Sequence, residues 1–122
     1  MANPNASQAS VDVSAYSSTG SLIETANLAV PGHGKVASLV SSLFSAAAAG
    51  SGWLKVSSDV PVAAFDLYGD KVHGGIGALP GTEGGSSQIL PHFVHSSRWW
   101  TGIAVVNLGN SATSVTIKAY SP

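Results

Sequence analysis

Hydrophobic and polar positions alternate along most of the chain, in short runs separated by turn residues. These runs predict about eight short β-strands, at 10–16, 21–30, 53–57, 60–68, 74–79, 88–93, 100–107 and 114–120. The stretches between them are rich in Gly, Pro, Ser and Asn, which favour turns. Many short strands separated by such turns are typical of a two-layer sandwich, although a barrel fits the same periodicity.

One stretch follows the period of a helix instead. Its apolar residues recur at i, i+3, i+4, i+7 and i+8, as Val36, Leu39, Val40, Leu43 and Phe44. This spacing predicts one short amphipathic helix near 35–46, whose apolar face covers an end or edge of a sheet because so short a helix is not stable alone. The predicted fold class is therefore an all-β, mainly antiparallel, two-layer sandwich with one short helix.

One strand pattern occurs twice, once near each end of the chain. Residues 3–18 read NPNASQASVDVSAYSS, and residues 107–122 read NLGNSATSVTIKAYSP, 104 positions later. Val13 recurs as Ile117, and the identical pairs are Asn3/Asn107, Ser7/Ser111, Ser10/Ser114, Val11/Val115, Ala15/Ala119, Tyr16/Tyr120 and Ser17/Ser121. Residues 3–16 are the first copy and residues 107–120 the second copy. In each, a polar turn precedes a strand with one apolar face.

A repeat at the two ends predicts a serial arrangement of structural units. Within a single β-sandwich domain, 1–122, we interpret 1–80 as the rear part of one unit and 88–122 as the front part of the next. The Gly- and Ser-rich residues 81–87 between them are linker-like.

The duplication also predicts contacts between copies of the chain. The strand at 100–107 can pair with either copy of the repeated strand, but only one copy can occupy that position. The other copy is then available to a neighbouring chain, by strand addition or exchange. The predicted assembly residues are Val11, Val13, Tyr16, Val115, Ile117 and Tyr120. The alternative is that one copy completes the sandwich and the other is a frayed tail.

Composition narrows the function classes. Hydrophobic residues make up 44 % of the 122 positions and charged residues 9 %, with a formal net charge of −1. That apolar content is enough to form a core, whereas five scattered Lys and Arg make no basic stripe for nucleic acid. No apolar run is long enough to span a bilayer, so we expect no membrane insertion. The chain has no cysteine, which leaves the redox compartment open.

Four histidines are the first candidates for a metal site. His92 and His95 form an H-x-x-H pair, with His33 and His73 elsewhere in the chain. Zinc usually takes further rigidly held ligands, so this pair alone is a weak signal, and ordinary loop histidines are the preferred interpretation. We expect no metal and no cofactor.

Catalytic motifs are missing from the sequence. Asp66 and Asp70 flank a Tyr-Gly turn, but no D-x-D-x-D-G calcium loop surrounds them, and solvated turn residues are the preferred interpretation. No G-x-S-x-G nucleophile motif occurs either. The sequence therefore predicts a protein that is not an enzyme.

The three tryptophans leave two alternatives open. Trp53, Trp99 and Trp100 offer large apolar rings that stack on sugars, which would make a carbohydrate-binding platform. Consecutive Trp99 and Trp100 point to opposite faces if both lie on a strand, so one can pack inside while the other is exposed. Packing within or between units is the preferred interpretation, and polysaccharide is the alternative partner.

Several motifs together carry a family resemblance. They are LPHF at 90–93, WWTGIAVVNLGNSATSVTIKAY at 99–120, VPGHGKVASLVSSLF at 30–44, SGWLKVSSDVPVAAFDLYGD at 51–70 and GGIGALPG at 74–81. In these the chain resembles tandem bacterial repeats of roughly one hundred residues, found in secreted and cell-surface proteins, here in rotated order. The resemblance implies a structural or adhesive role outside the cell. The start, MANPNAS, has no signal-peptide pattern, so we expect any export signal to lie outside this chain.

Overall fold

The structure, a computed structural model, describes residues 1–45, 51–69, 72, 74–90, 92 and 94–120. The chain divides into two compact units, Met1–Thr82 and Glu83–Pro122. The helix and strands found among the described residues all lie in the first unit. Nearly all of this regular secondary structure is antiparallel β-strand. The first unit is therefore β-rich, as the alternation in the sequence predicts, with five strands rather than about eight.

The first unit contains a three-stranded sheet in the order β2–β1–β3. Its strands are β1 (Ala9–Ser17), β2 (Leu22–Val30) and β3 (Gly52–Ser58). Both neighbours run antiparallel to β1, with Val13 opposite Ala26 of β2 and Val56 of β3. The first copy of the repeat thus supplies the central strand.

The turn between β1 and β2 requires glycine. Gly20 has φ = 88°, in the left-handed region that side chains with a Cβ rarely adopt. Its backbone N–H donates to the Ser17 carbonyl oxygen at 3.0 Å, and the Ser17 N–H donates to the Ser21 carbonyl oxygen at 2.9 Å. A register shift between Ala15 and Tyr16 then absorbs one extra residue of β2.

A second, two-stranded sheet pairs β4 (Phe65–Gly69) with β5 (Ile76–Pro80). The start of the chain runs beside the entry to β4, because Ala2 forms antiparallel bridges with Ala63 and with Lys35. The Ala2 N–H donates to the Ala63 carbonyl oxygen at 2.8 Å, and the Ala63 N–H returns a bond of 2.9 Å.

The core of the first unit is built on one face of β1. All four inward positions of that strand are buried, together with one residue of β2 and one aromatic ring: Ala9, Val11, Val13, Ala15, Val30 and Phe44. The outward positions carry polar groups, of which Ser14 bonds Thr25 through their hydroxyls at 2.9 Å. Burying a valine side chain stabilises a fold by about 1.5–3 kcal/mol, so this alternation determines which face of β1 points inward.

The predicted helix at 35–46 is wrong in length. Only Val40–Leu43 is helical, and none of its residues is buried. The chain before it is held extended, because the Val36 N–H donates to the Met1 carbonyl oxygen at 2.9 Å and the Met1 amino group donates to the Val36 carbonyl oxygen at 2.8 Å. Residues 46–50 lie outside the described part of the chain.

The second unit shows no strand or helix among its described residues. The strands predicted at 100–107 and 114–120 are therefore wrong for this structure, as is the one at 88–93, of which 91 and 93 lie outside the described residues. The physical reason is pairing: a strand forms only where a neighbour accepts its backbone hydrogen bonds, and none of the described strands pairs with these segments.

Candidate functional site

The candidate site is the repeated sequence, whose two copies have contrasting environments in the structure: the first is a strand in a sheet and the second is not. In the first copy, Val11 and Val13 are fully or almost fully buried in the core. Tyr16 stacks on Trp53 of β3, with ring centroids 4.2 Å apart and planes 6° from parallel. These three predicted assembly residues are therefore engaged inside the first unit.

Asn3 fixes the polar turn that leads into the first copy, and its side chain is buried, 2 % exposed. Its Nδ2 donates to the carbonyl oxygens of Ser7, Val30 and Pro31 at 2.8, 3.0 and 3.2 Å. Its Oδ1 accepts the Asn5 backbone N–H at 3.0 Å. One amide thus closes the turn and also anchors it to the end of β2.

The second copy forms the same turn. The Nδ2 of Asn107 donates to the Ser111 carbonyl oxygen at 2.7 Å, and its Oδ1 accepts the Gly109 N–H at 2.9 Å. Ser111 and Gly109 stand at the positions equivalent to Ser7 and Asn5. The sequence repeat is therefore also a repeat of local geometry, made by an asparagine side chain that bonds its own backbone neighbours.

The segment that follows this second turn is exposed and is not a strand in the structure. Val115, Ile117 and Tyr120 are 57 %, 63 % and 77 % exposed, although their equivalents in the first copy are buried or stacked. All the described residues from 95 to 120 are exposed, and what distinguishes the second copy is that Val115 and Ile117 match positions on the buried face of β1. The second copy therefore has the inward face of a β1 strand without a core against it.

The tryptophans also differ in how exposed their rings are. Trp53 is half-buried against Tyr16, so its ring is part of the first sheet. Trp99 and Trp100 are 67 % and 79 % exposed in the second unit. A local turn places them: the Ser96 N–H donates to the Trp99 carbonyl oxygen at 2.9 Å, and the Ser96 Oγ accepts the Trp99 N–H at 3.1 Å.

The described histidines and carboxylates do not make a metal site. His92 and His95 are exposed, and within the described residues no three potential ligands come together. His73 and Asp70 lie outside those residues, and Asp66 is exposed on β4.

Two other carboxylates, Asp12 and Asp59, line one shallow surface pocket on the first sheet. Asp59 accepts the Ser10 backbone N–H at 2.8 Å, and Asp12 accepts a hydrogen bond from the Asn27 amide. Both groups therefore hold strands together.

Sequence reasoning missed the role of Asn3. The signal for Asn3 was present, since an asparagine opens both copies at the same distance from the strand. Its partners Val30 and Pro31 are distant in sequence, so the alternation of side chains does not reveal them.

Among the residues that the structure describes, no helix is both long and apolar enough to cross a bilayer. No protein-family model, curated protein or solved structure matches the chain.

Proposed function

We propose that the chain is a non-catalytic structural module that assembles with its own copies through the repeated strand. The observation that carries this proposal is the second copy. It repeats the turn of the first copy at Asn107 but leaves the apolar side chains of Val115 and Ile117 in water. Assembly would bury that face in the sheet of another chain.

The geometry of the repeat favours a serial array. The two copies lie near opposite ends of the sequence, so a contact that uses the second copy of one chain and the first unit of the next is head-to-tail. Contacts of this kind continue into filaments unless the rotation between neighbours closes a ring. We propose that strands added in this way complete a two-layer sandwich. On the family resemblance, we propose that this assembly takes place at the surface of a bacterial cell or in the extracellular space.

Light scattering tests this function with one variant and a matched control. Ile117→Asp places a charge on the apolar face of the second copy, and the average mass should stop rising with concentration. Thr116→Asp is the control, because Asp12 occupies the equivalent position in the first copy and points to solvent. The mass of this control should rise as that of the wild type does. A wild-type chain that stays monomeric at every concentration would contradict the proposal.

Carbohydrate binding is a second candidate function, favoured by the exposure of Trp99 and Trp100. Exposed tryptophan rings beside one another suit stacking on sugars. Pull-down with insoluble polysaccharides tests this candidate. Binding that persists in Ile117→Asp and disappears in Trp99→Ala or Trp100→Ala would favour adhesion over assembly.

A further inference from the structure

Beyond Ala63, no strand that the structure describes pairs with the edge of β4 that faces away from β5; this edge is called the open edge of β4. In an antiparallel sheet, alternate residues direct both backbone groups to the same side. The Ala64 carbonyl oxygen accepts the Gly81 N–H at 2.9 Å, on the β5 side, whereas both backbone groups of Ala63 bond to Ala2 on the other side. By this alternation, Phe65, Leu67 and Gly69 present their N–H and C=O groups on the Ala2 side, where no described strand pairs with β4.

The repeat identifies which segment fits that edge. Ala2 immediately precedes the first copy, and Val106 stands at the same place before the second copy. Continuing backwards from Val106, residues 100–106 read WTGIAVV, an apolar strand sequence with Ile103 and Val105 exposed. If Val106 takes the position of Ala2 opposite Ala63, the segment runs antiparallel along the whole of β4.

We propose that residues 100–106 of a second copy of the chain pair with the open edge of β4. The ladder places Ala104 opposite Phe65, Gly102 opposite Leu67 and Trp100 opposite Gly69, and at Ala63 it replaces the pairing that Ala2 now makes. Val105 then takes the position of Met1, whose side chain packs against the core. This inference rests on the proposed function and specifies its contact.

The same placement puts the second copy of the repeat, from the incoming chain, in the position that the first copy of the repeat now occupies. A residue at 106 cannot share the position of Ala2, so the incoming segment exchanges with residues 1–17. Its second copy then lies between β2 and β3, where Val115, Ile117 and Ala119 take the buried positions of β1. Tyr120 takes the position of Tyr16 and meets Trp53.

The exchange buries the apolar face of the second copy and releases that of the first copy, so its net gain is the ladder on β4. The incoming amide of Asn107 reaches the carbonyl oxygens of Val30 and Pro31, to which the Asn3 amide now donates. Because exchange requires a central strand to leave its sheet, assembly should be slow and should accelerate in mild denaturant.

Cysteine cross-linking tests the register, and the natural chain has no cysteine to interfere. Asp66→Cys with Ile103→Cys creates a directly opposed, non-hydrogen-bonded pair, whose Cα atoms lie about 4.5 Å apart in antiparallel sheets, within the range for disulfides. Asp66→Cys with Ala104→Cys is the matched control, since the neighbouring side chain points to the opposite face. We expect a reducible ladder of multimers, with about tenfold more product than in the control.

A second pair reports on the exchanged strand. Ser14 lies opposite Lys55, and Lys118 stands at the position equivalent to Ser14, so Lys55→Cys with Lys118→Cys should also give multimers. Lys55→Cys with Ile117→Cys is its control. If the wild type assembles but neither in-register pair exceeds its control, this inference is overturned and the proposed function stands. A disulfide formed within a single chain would overturn the claim that the partner is another chain. A wild type that never assembles would overturn both proposals.

Discussion

The first and second copies of the repeat share a sequence pattern and a turn, yet only the first is a strand. Val13 is 2 % exposed at the centre of a three-stranded sheet, and its equivalent Ile117 is 63 % exposed with no strand beside it. The difference lies in the surroundings, since β2, β3 and Phe44 enclose the first copy. The comparison teaches that an alternating sequence specifies an apolar face but not the neighbour that covers it.

The largest effect should come from placing a charge in each copy in turn. Val13→Asp buries a carboxylate in the core and should lower the free energy of unfolding by more than about 4 kcal/mol, which risks complete unfolding. Ile117→Asp should change it by less than about 0.5 kcal/mol, because that side chain is exposed. Urea denaturation of dilute monomer measures both values. Equal destabilisation by the two variants would show that the second copy already lies in a core within the monomer.

The two asparagines provide the next contrast. Asn3→Ala removes hydrogen bonds from the buried carbonyl oxygen of Val30 and the part-buried one of Pro31, and should cost about 2–4 kcal/mol of stability. Asn107→Ala breaks only a local, exposed turn and should cost less than about 1 kcal/mol. Thermal unfolding followed by circular dichroism compares them. A loss of similar size in both would contradict the assignment of Asn3 as the anchor of the turn.

The tryptophans allow a smaller test of the same kind. Trp53→Ala removes the ring stacked on Tyr16 and should cost about 1–3 kcal/mol, since the ring is half-buried. Trp99→Ala should leave monomer stability within about 0.5 kcal/mol of wild type, because its ring is exposed. Trp99→Phe serves as a conservative companion variant. Strong destabilisation by Trp99→Ala would place that ring in a core.

The smallest effect comes from making the second copy more like the first. Asn5 donates from its Nδ2 to the Pro61 carbonyl oxygen at 2.7 Å, and Gly109 stands at the equivalent position without a side chain. Gly109→Asn should supply that bond in the exchanged strand and strengthen assembly about fivefold, for one hydrogen bond of about 1 kcal/mol. Sedimentation equilibrium measures the change. Gly109→Ala is the control, and it should not strengthen assembly.

Sequence alone predicts the first unit well where side chains alternate between core and solvent. The predicted strands at 10–16 and 21–30 correspond closely to β1 and β2, because each combines β-branched residues with a turn at Gly20. The helix near 35–46 is the main error there. The period of its apolar residues was real, but backbone bonds between Val36 and Met1 hold the first part extended.

In the second unit, and at the candidate site, sequence reasoning had a different limit. The local sequence pattern is that of a strand at both 100–107 and 114–120. That pattern does not specify which neighbouring strand pairs with either segment. The repeat identified Val115, Ile117 and Tyr120 from sequence, and the structure shows that their surroundings differ from those of Val11, Val13 and Tyr16. The open edge of β4 depends on the bridge between Ala2 and Ala63, a contact between residues far apart in sequence.

Hydrogen–deuterium exchange at low and high protein concentration tests the central claim most directly. Residues 10–16 should be protected in dilute monomer and lose protection as the particles form, because residues 114–120 of a neighbouring chain then fill the position between β2 and β3. Residues 114–120 should be unprotected in dilute monomer and become protected as the mass of the particles rises. Assembly with residues 114–120 still unprotected would contradict the account, as would their protection in the monomer.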